Sequence, residues 1–131
     1  MKSMVNFYAC SNLEKTDAFY QSLGLKLFHS EQDCNIYDSG YGYLGFLQKD
    51  KMKLPDYSCI SFDCENKQEV DTIYEDLMDK YLCTVPKKHT KYSVYSFFLK
   101  DPDGYTVEFQ YILGWTICYN SITVSSYKTM F

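Results

Sequence analysis

The chain has 131 residues, of which 46% are hydrophobic and 23% charged, and its formal net charge at pH 7 is −4. These values exclude a disordered segment, and the acidic balance argues against a partner such as nucleic acid or an anionic membrane. The six cysteines have no CxxC spacing, which predicts thiols rather than a zinc cluster. The first residues do not resemble a secretion signal and no apolar run could span a membrane, so we expect a cytoplasmic protein.

The first half of the chain predicts the element order β-α-β-β-β. Residues 3–9 alternate as in a strand, and Ser11 with Glu14 forms a Ser-x-x-Glu capping box that predicts a helix to about Leu23. Gly24 is expected to end that helix. Turn-forming residues then separate three predicted strands, at 25–29, 35–38 and 41–48.

The second half predicts the same order again. A strand is expected at 57–64, followed by a helix that Asn66 and Glu69 open and that runs to about Lys80. Three further strands are expected, at 82–85, 93–99 and 105–112. An offset of 54 positions also aligns identical residues: Cys10 with Cys64, Asn12 with Asn66, Asp17 with Asp71, Tyr20 with Tyr74 and Leu23 with Leu77.

This repeat predicts an α+β fold built from two βαβββ modules. We expect residues 1–112 to form a single domain, with modules at about 1–52 and 53–112. A sheet with a helix on one face leaves its other face uncovered, so we expect a curved mixed sheet around a cavity. Residues 113–131 lie beyond the repeat, and the alternation of Trp115, Ile117 and Tyr119 predicts an extra C-terminal strand or tail.

Two motifs carry a resemblance to a known family. Residues 100–109 read KDPDGYTVEF, which resembles the DPDG-x-x-x-E-F segment of the vicinal oxygen chelate superfamily (glyoxalase I, bleomycin-resistance proteins and extradiol dioxygenases). Phe19-Tyr20 followed by Leu23-Gly24-Leu25 resembles the first helix of that family and its exit. The resemblance covers about residues 3–112 and implies the same two-module fold.

The resemblance also implies where a metal would bind. Metalloenzymes of this superfamily hold one divalent ion with four side chains, typically His, Glu, His and Glu. The matched positions in this chain are Val5, Gly45, Cys59 and Glu108. A catalytic divalent site needs about three protein ligands, and Val and Gly cannot coordinate a metal. Since His29 and His89 lie outside these positions, we expect no metal or other cofactor.

Strand alternation sorts the side chains into two faces. Residues with the parity of the matched positions are expected to line the cavity: Val5, Phe7, Ala9, Tyr43, Gly45, Leu47, Cys59, Ser61, Asp63, Thr106, Glu108 and Gln110. The opposite set is expected to pack beneath the helices: Ile60, Phe62, Val107 and Phe109. From the first set we choose six candidate ligand-binding residues: Phe7, Tyr43, Cys59, Ser61, Glu108 and Gln110.

Each candidate also has a structural interpretation. Glu108 is either a functional carboxylate, catalytic if the protein is an enzyme, or a scaffold residue that bonds Ser61, Gln110 or water. Phe7 and Tyr43 either stack on a planar ligand or pack in the core, and Cys59 suits packing better than nucleophilic work.

Charged residues outside the matched positions have simpler interpretations. Asp17 and Asp71 are interpreted as solvated charges on the helix surfaces. The loop at 87–91 is interpreted as a solvated loop that could also steer an anionic ligand.

Three functions follow as hypotheses. The first is a protein of the bleomycin-resistance kind that binds a small planar or amphiphilic molecule in a metal-free cavity; the resemblance implies a homodimer. The second is a metal-dependent lyase, isomerase or dioxygenase whose non-standard site uses Cys59 and Glu108. The third is a non-catalytic sensor or interaction module that docks a partner through Trp115, Ile117 and Ile122.

Overall fold

The structure is a computed structural model that describes residues 1–113. Its elements are β1 (Val5–Cys10), α1 (Leu13–Ser22), β2 (Lys26–Glu31), β3 (Cys34–Asp38), β4 (Tyr43–Gln48), β5 (Ile60–Asp63), α2 (Lys67–Leu77), β6 (Lys87–Lys88), β7 (Val94–Lys100) and β8 (Thr106–Ile112). They form two four-stranded sheets with the orders β1-β4-β3-β2 and β5-β8-β7-β6. The predicted α+β class with two βαβββ modules is therefore confirmed. Apart from Leu113, the tail predicted at 113–131 lies outside the described residues.

The described residues separate into two compact units. The first comprises Met1–Ser58 and Lys100–Thr106, and the second comprises Cys59–Leu99 and the stretch that begins at Val107. None of the five cysteines among residues 1–113 forms a disulfide. Within the same residues, no helix has the length and apolar character that crossing a membrane requires.

The core of the first unit lies between α1 and one face of its sheet. β1 and β4 pair in parallel, whereas β3 pairs antiparallel with both β4 and β2. The Tyr20 ring of α1 stacks on Phe46 of β4 with ring centroids 4.6 Å apart, and both side chains are fully buried. Strand alternation leaves Phe7 and Gly45 on the opposite side of the sheet, here called the helix-free face.

Helix α1 begins one residue later than the capping box predicts. Asn12 is the N-cap, and its side chain accepts a hydrogen bond from the Lys15 N–H at 3.0 Å. Ser11 instead binds the Asp103 carboxylate through both its N–H and its hydroxyl. The prediction of Ser11 as the cap was wrong because this distant carboxylate competes for its hydroxyl. Gly24 ends the helix as predicted, at a φ of 101°.

The DPDG turn carries a buried carboxylate into the first unit. Asp101 is 5% exposed, and its Oδ1 accepts the N–H groups of Asp103 and Tyr105 at 2.9 and 3.0 Å. Its Oδ2 accepts the hydroxyl of Tyr20 at 2.8 Å. Burial raises the pKa of Asp101, although these hydrogen bonds oppose the shift. The motif thus fixes both a turn and a helix contact.

In the second unit, Asn66 caps α2 as predicted, since its side chain accepts the Glu69 N–H at 2.8 Å. The strand predicted at 82–85 is wrong, because the edge strand that pairs with β7 is Lys87–Lys88. Thr84 reaches β7 partly through its side chain: its N–H donates to the Phe98 carbonyl, and its hydroxyl oxygen accepts the Phe98 N–H. The following Pro86 has no N–H to extend a ladder.

The two aspartates matched by the repeat are half-buried and hydrogen-bonded, and are not merely solvated charges. Tyr37 of β3 donates its hydroxyl to Asp17, and Tyr95 of β7 donates to Asp71, both at 2.6 Å. Each helix is therefore joined to its own sheet by the same Tyr–Asp hydrogen bond. The sequence interpretation was wrong because tyrosine is long enough to reach a carboxylate at the flank of a helix.

Candidate functional site

The second unit separates its polar and apolar side chains as the strand parity predicts. β5 and β8 pair in parallel, with Ile60 opposite Val107 and Phe62 opposite Phe109. Ile60, Val107 and Phe109 are buried and Phe62 is half-buried. The alternate residues Ser61, Asp63, Glu108 and Gln110 lie on the helix-free face of this sheet.

Two polar pairs cross from β5 to β8 on that face. Ser61 donates its hydroxyl to Glu108 at 2.5 Å, and Gln110 donates its side-chain amide to Asp63 at 2.9 Å. The Cys59 sulfur lies 3.7 Å from the same Glu108 oxygen and 3.4 Å from the Ser61 hydroxyl. Cys59, Ser61 and Glu108 thus form one contact group, and Gln110 pairs separately with Asp63.

On the helix-free face of the first unit, aromatic side chains dominate. The Phe7 ring is 56% exposed and lies directly over Gly45. A Cβ added at Gly45 would lie only 2.5 Å from the Phe7 ring, closer than real Cβ contacts allow. Tyr43 is half-buried, and its ring centroid lies 4.9 Å from that of Phe28. Phe28 was missed because it belongs to β2, for which no matched position set the parity.

The matched positions do not fit the metal that the resemblance implies. Val5 and Gly45 have no donor atom, and the Phe7 ring occupies the space into which a carboxylate at position 45 would extend. Cys59 and Glu108 together supply two donor side chains, fewer than a divalent site needs. Among residues 1–113, no three His, Cys, Asp or Glu side chains lie close enough together to hold a metal ion.

The second unit also contains a pocket that the sequence interpretation missed. It has a volume of about 270 Å³ and is lined by Thr84, Lys87, His89, Ser96 and Phe98. Two of these residues belong to the loop at 87–91, which was interpreted as merely solvated. Extending the strand parity from β8 to β7 would have placed Ser96 and Phe98 on one face. Because the edge strand was predicted at 82–85, the pairing of Lys87 with Ser96 could not be predicted.

Comparison with known proteins places the fold in a family. Among curated proteins, none matches the chain. An integron cassette protein from a Halifax Harbour sewage metagenome is 22% identical, with a TM-score of 0.72 over 85% of this chain and 99% of the other. A possible glyoxalase from Bacillus cereus is 20% identical, with a TM-score of 0.70 over 83% and 97% of the two chains.

A lactoylglutathione lyase from Agrobacterium tumefaciens is 18% identical, with a TM-score of 0.71 over 86% of this chain and 94% of the other. At such identities the three structures show a shared fold. The family model described as Glyoxalase/Bleomycin resistance protein/Dioxygenase superfamily matches residues 4–109, which is most of the chain. This match confirms the resemblance drawn from the DPDG segment and the first helix, and the chain belongs to the glyoxalase/bleomycin resistance protein/dioxygenase superfamily.

Proposed function

We propose that the protein binds a small planar or amphiphilic molecule without a divalent metal, and that binding rather than catalysis is its function. The observation that carries the proposal is the exposed Phe7 ring, which covers Gly45 at a position where the superfamily's metalloenzymes have a ligand. An aromatic surface thus replaces a coordinating group. Exposed aromatic faces contribute large apolar contact areas to flat ligands.

The polar pairs of the second unit support the same proposal. The Ser61–Glu108 and Asp63–Gln110 hydrogen bonds hold donors and acceptors in fixed positions on a sheet face. A few polar groups held in fixed positions are typical of small-molecule sites, where they orient the ligand. We propose that the protein acts in the cytoplasm as a homodimer, in line with the bleomycin-resistance kind of relative.

The proposal is tested with Nile red, a neutral, planar and amphiphilic dye, titrated into protein treated with a chelator. We expect saturable fluorescence enhancement, and Phe7→Ala should weaken binding by roughly tenfold because a buried aromatic contact is lost. Leu82→Ala is the control, since Leu82 is a 96% exposed apolar residue outside the strands. Equal weakening in both variants, or no saturation, would contradict the proposal.

A second candidate function is a metal-dependent lyase, isomerase or dioxygenase. The contact between Cys59 and Glu108 favours it, because the two donors already lie 3.7 Å apart. This function predicts that Nile red binding in the chelator-treated protein is irrelevant to activity and that Glu108→Gln abolishes metal uptake. The interaction-module hypothesis depends on Trp115, Ile117 and Ile122, which lie outside the described residues.

A further inference from the structure

The pocket described above lies over β6 and β7 and is lined by Thr84, Lys87, His89, Ser96 and Phe98. In the register of β6 and β7, Lys87 lies opposite Ser96 and Lys88 lies opposite Tyr95. Tyr95 bonds Asp71 of helix α2, so Lys88 and Tyr95 belong to the helix side of the sheet. Lys87 and Ser96 therefore lie on the helix-free face, where both line the pocket.

The polar side chains of this pocket are hydrogen-bond donors. The His89 Nδ1 accepts the N–H groups of Lys91 and Tyr92 at 3.1 and 3.2 Å, which leaves the ring proton on Nε2. The Thr84 hydroxyl oxygen already accepts the Phe98 N–H at 2.9 Å, so its own proton is left to donate. No carboxylate lines the pocket.

The charge of Lys87 is not neutralised by a neighbouring acid. Within residues 1–113, the one ion pair joins His29 to Glu31. Lys87 shares this with the other lysines of residues 1–113, and what distinguishes it is that it lines a pocket without a carboxylate, where an anion would meet a positive charge. Ser96 is 4% exposed and still lines the pocket, so it adds a nearly buried hydroxyl to the lining.

The apolar part of the pocket is aromatic. Phe98 supplies a ring to the lining, and a volume of about 270 Å³ lies just below the range of about 300–1,000 Å³ that is usual for ligand sites. Such a pocket suits a single ring with one charged group better than a larger ligand.

We propose that this pocket binds a small aromatic carboxylic acid, with the carboxylate on Lys87 and the Nε2–H of His89 and the ring against Phe98. The inference goes beyond the proposed function, because the pocket lies in the second unit and shares no residue with the Phe7 surface or the two polar pairs. Charge-assisted hydrogen bonds to the carboxylate give the specificity, and the aromatic contact adds affinity.

The test follows the backbone amide signals of His89 and Ser96 by ¹⁵N NMR while benzoate is added. Benzamide, which has the same ring without the charge, and inorganic phosphate, which has charge without a ring, are the matched probes. We expect saturable shifts with benzoate and binding weaker by about tenfold or more for both other probes, because each lacks one of the two contacts.

Three variants separate the roles of the residues. Lys87→Met should weaken benzoate binding by about tenfold, whereas Lys88→Met, one residue along on the other face of β6, should leave it unchanged. His89→Asn retains an acceptor for the two loop N–H groups but removes Nε2–H. It should weaken benzoate binding, and the NMR spectrum of the free variant should remain that of a folded protein.

The outcomes are distinct. Equal binding of benzamide and benzoate, equal saturation by phosphate, or equal effects of the two lysine variants would overturn the aromatic-acid assignment. If Nile red binds as proposed above and benzoate does not, the inference fails while the proposed function stands. Failure of both probes would overturn both.

Discussion

At the scale of single residues, Gly45 and Phe7 show how a missing side chain makes room for an aromatic ring. Glycine is the only residue that leaves room for the Phe7 ring, because any Cβ at this position would meet that ring at 2.5 Å. The pair thus couples the absence of a side chain at position 45 to an exposed aromatic surface at position 7. Neither residue alone would indicate this packing. A glycine in a strand is ordinarily expected only to weaken the strand.

The contact between Phe7 and Gly45 predicts, in a double-mutant cycle, that Gly45→Ala changes stability in opposite directions with and without the Phe7 ring. Gly45→Ala should destabilise the protein by about 1 kcal/mol while Phe7 is present, because the Cβ displaces the ring. In the Phe7→Ala background the same substitution should be neutral or stabilising by up to roughly 1 kcal/mol, since alanine suits a strand better than glycine. Urea unfolding of the four proteins measures the cycle.

The control for this cycle is Gly42→Ala. Nothing lies within 4 Å of a Cβ added at Gly42, so this substitution should have the same small effect in both backgrounds. Additive effects of Gly45→Ala and Phe7→Ala would show that the ring does not occupy the space above Gly45.

Asp101 predicts a pH dependence of stability. Burial raises its pKa in the folded protein, so the folded state holds the proton more tightly than the unfolded state. The associated stability is fully present below the ordinary Asp pKa, about 3.9, and is lost as the pH rises through the higher folded value. Asp101→Asn cannot titrate and retains an acceptor for the Asp103 and Tyr105 N–H groups.

The free energy of unfolding of the wild type relative to Asp101→Asn should therefore fall with rising pH over that interval and then level off. Urea titrations of both proteins at a series of pH values measure the difference. A difference that grows with pH would mean that the hydrogen bond from Tyr20 outweighs burial and lowers the pKa of Asp101.

At the scale of elements, the Tyr–Asp hydrogen bonds join each helix to its sheet. Tyr37→Phe should cost about 2 kcal/mol, because the loss of the bond to Asp17 also leaves the buried Asn35 amide without its tyrosine acceptor at 3.1 Å. Tyr95→Phe removes only the bond to Asp71 and should cost about 1 kcal/mol.

Thermal or urea unfolding measures the loss of stability in the two variants. Tyr57→Phe is the control, because Tyr57 is 84% exposed. Equal costs for Tyr37→Phe and Tyr95→Phe would contradict the added contribution of the hydrogen bond from Asn35 to Tyr37.

Most elements were predictable from local pattern, and the errors share one physical cause. Helix periodicity, Gly24 and Asn66 act within a few residues, and each was interpreted correctly. Ser11, by contrast, is diverted by Asp103, which is 92 positions away in the chain. The edge strand is Lys87–Lys88 and not the predicted 82–85, because pairing with β7 depends on long-range contacts that short apolar runs do not indicate.

At the scale of the whole molecule, the repeat and the DPDG segment were enough to predict the family and the two-module fold. The candidate site was less predictable. Strand parity placed Ser61, Glu108 and Gln110 on one face correctly, and Ser61 was one of three partners expected for Glu108, but the pattern left open which of Ser61, Gln110 and water it would be. The pocket around Lys87 and His89 depends on the register of β6 and β7, which the sequence pattern did not show.

The central claim is that this superfamily scaffold works here without the superfamily's metal. The most direct test is thermal melting of chelator-treated protein with Ni²⁺, Zn²⁺, Mn²⁺ or Fe²⁺ added in turn. A specific ion at about 100 times its Kd would add roughly 2.7 kcal/mol and raise Tm by several degrees. We predict no such shift with any of the four ions. A stoichiometric shift that Glu108→Gln abolishes would contradict the claim and favour the metal-dependent enzyme.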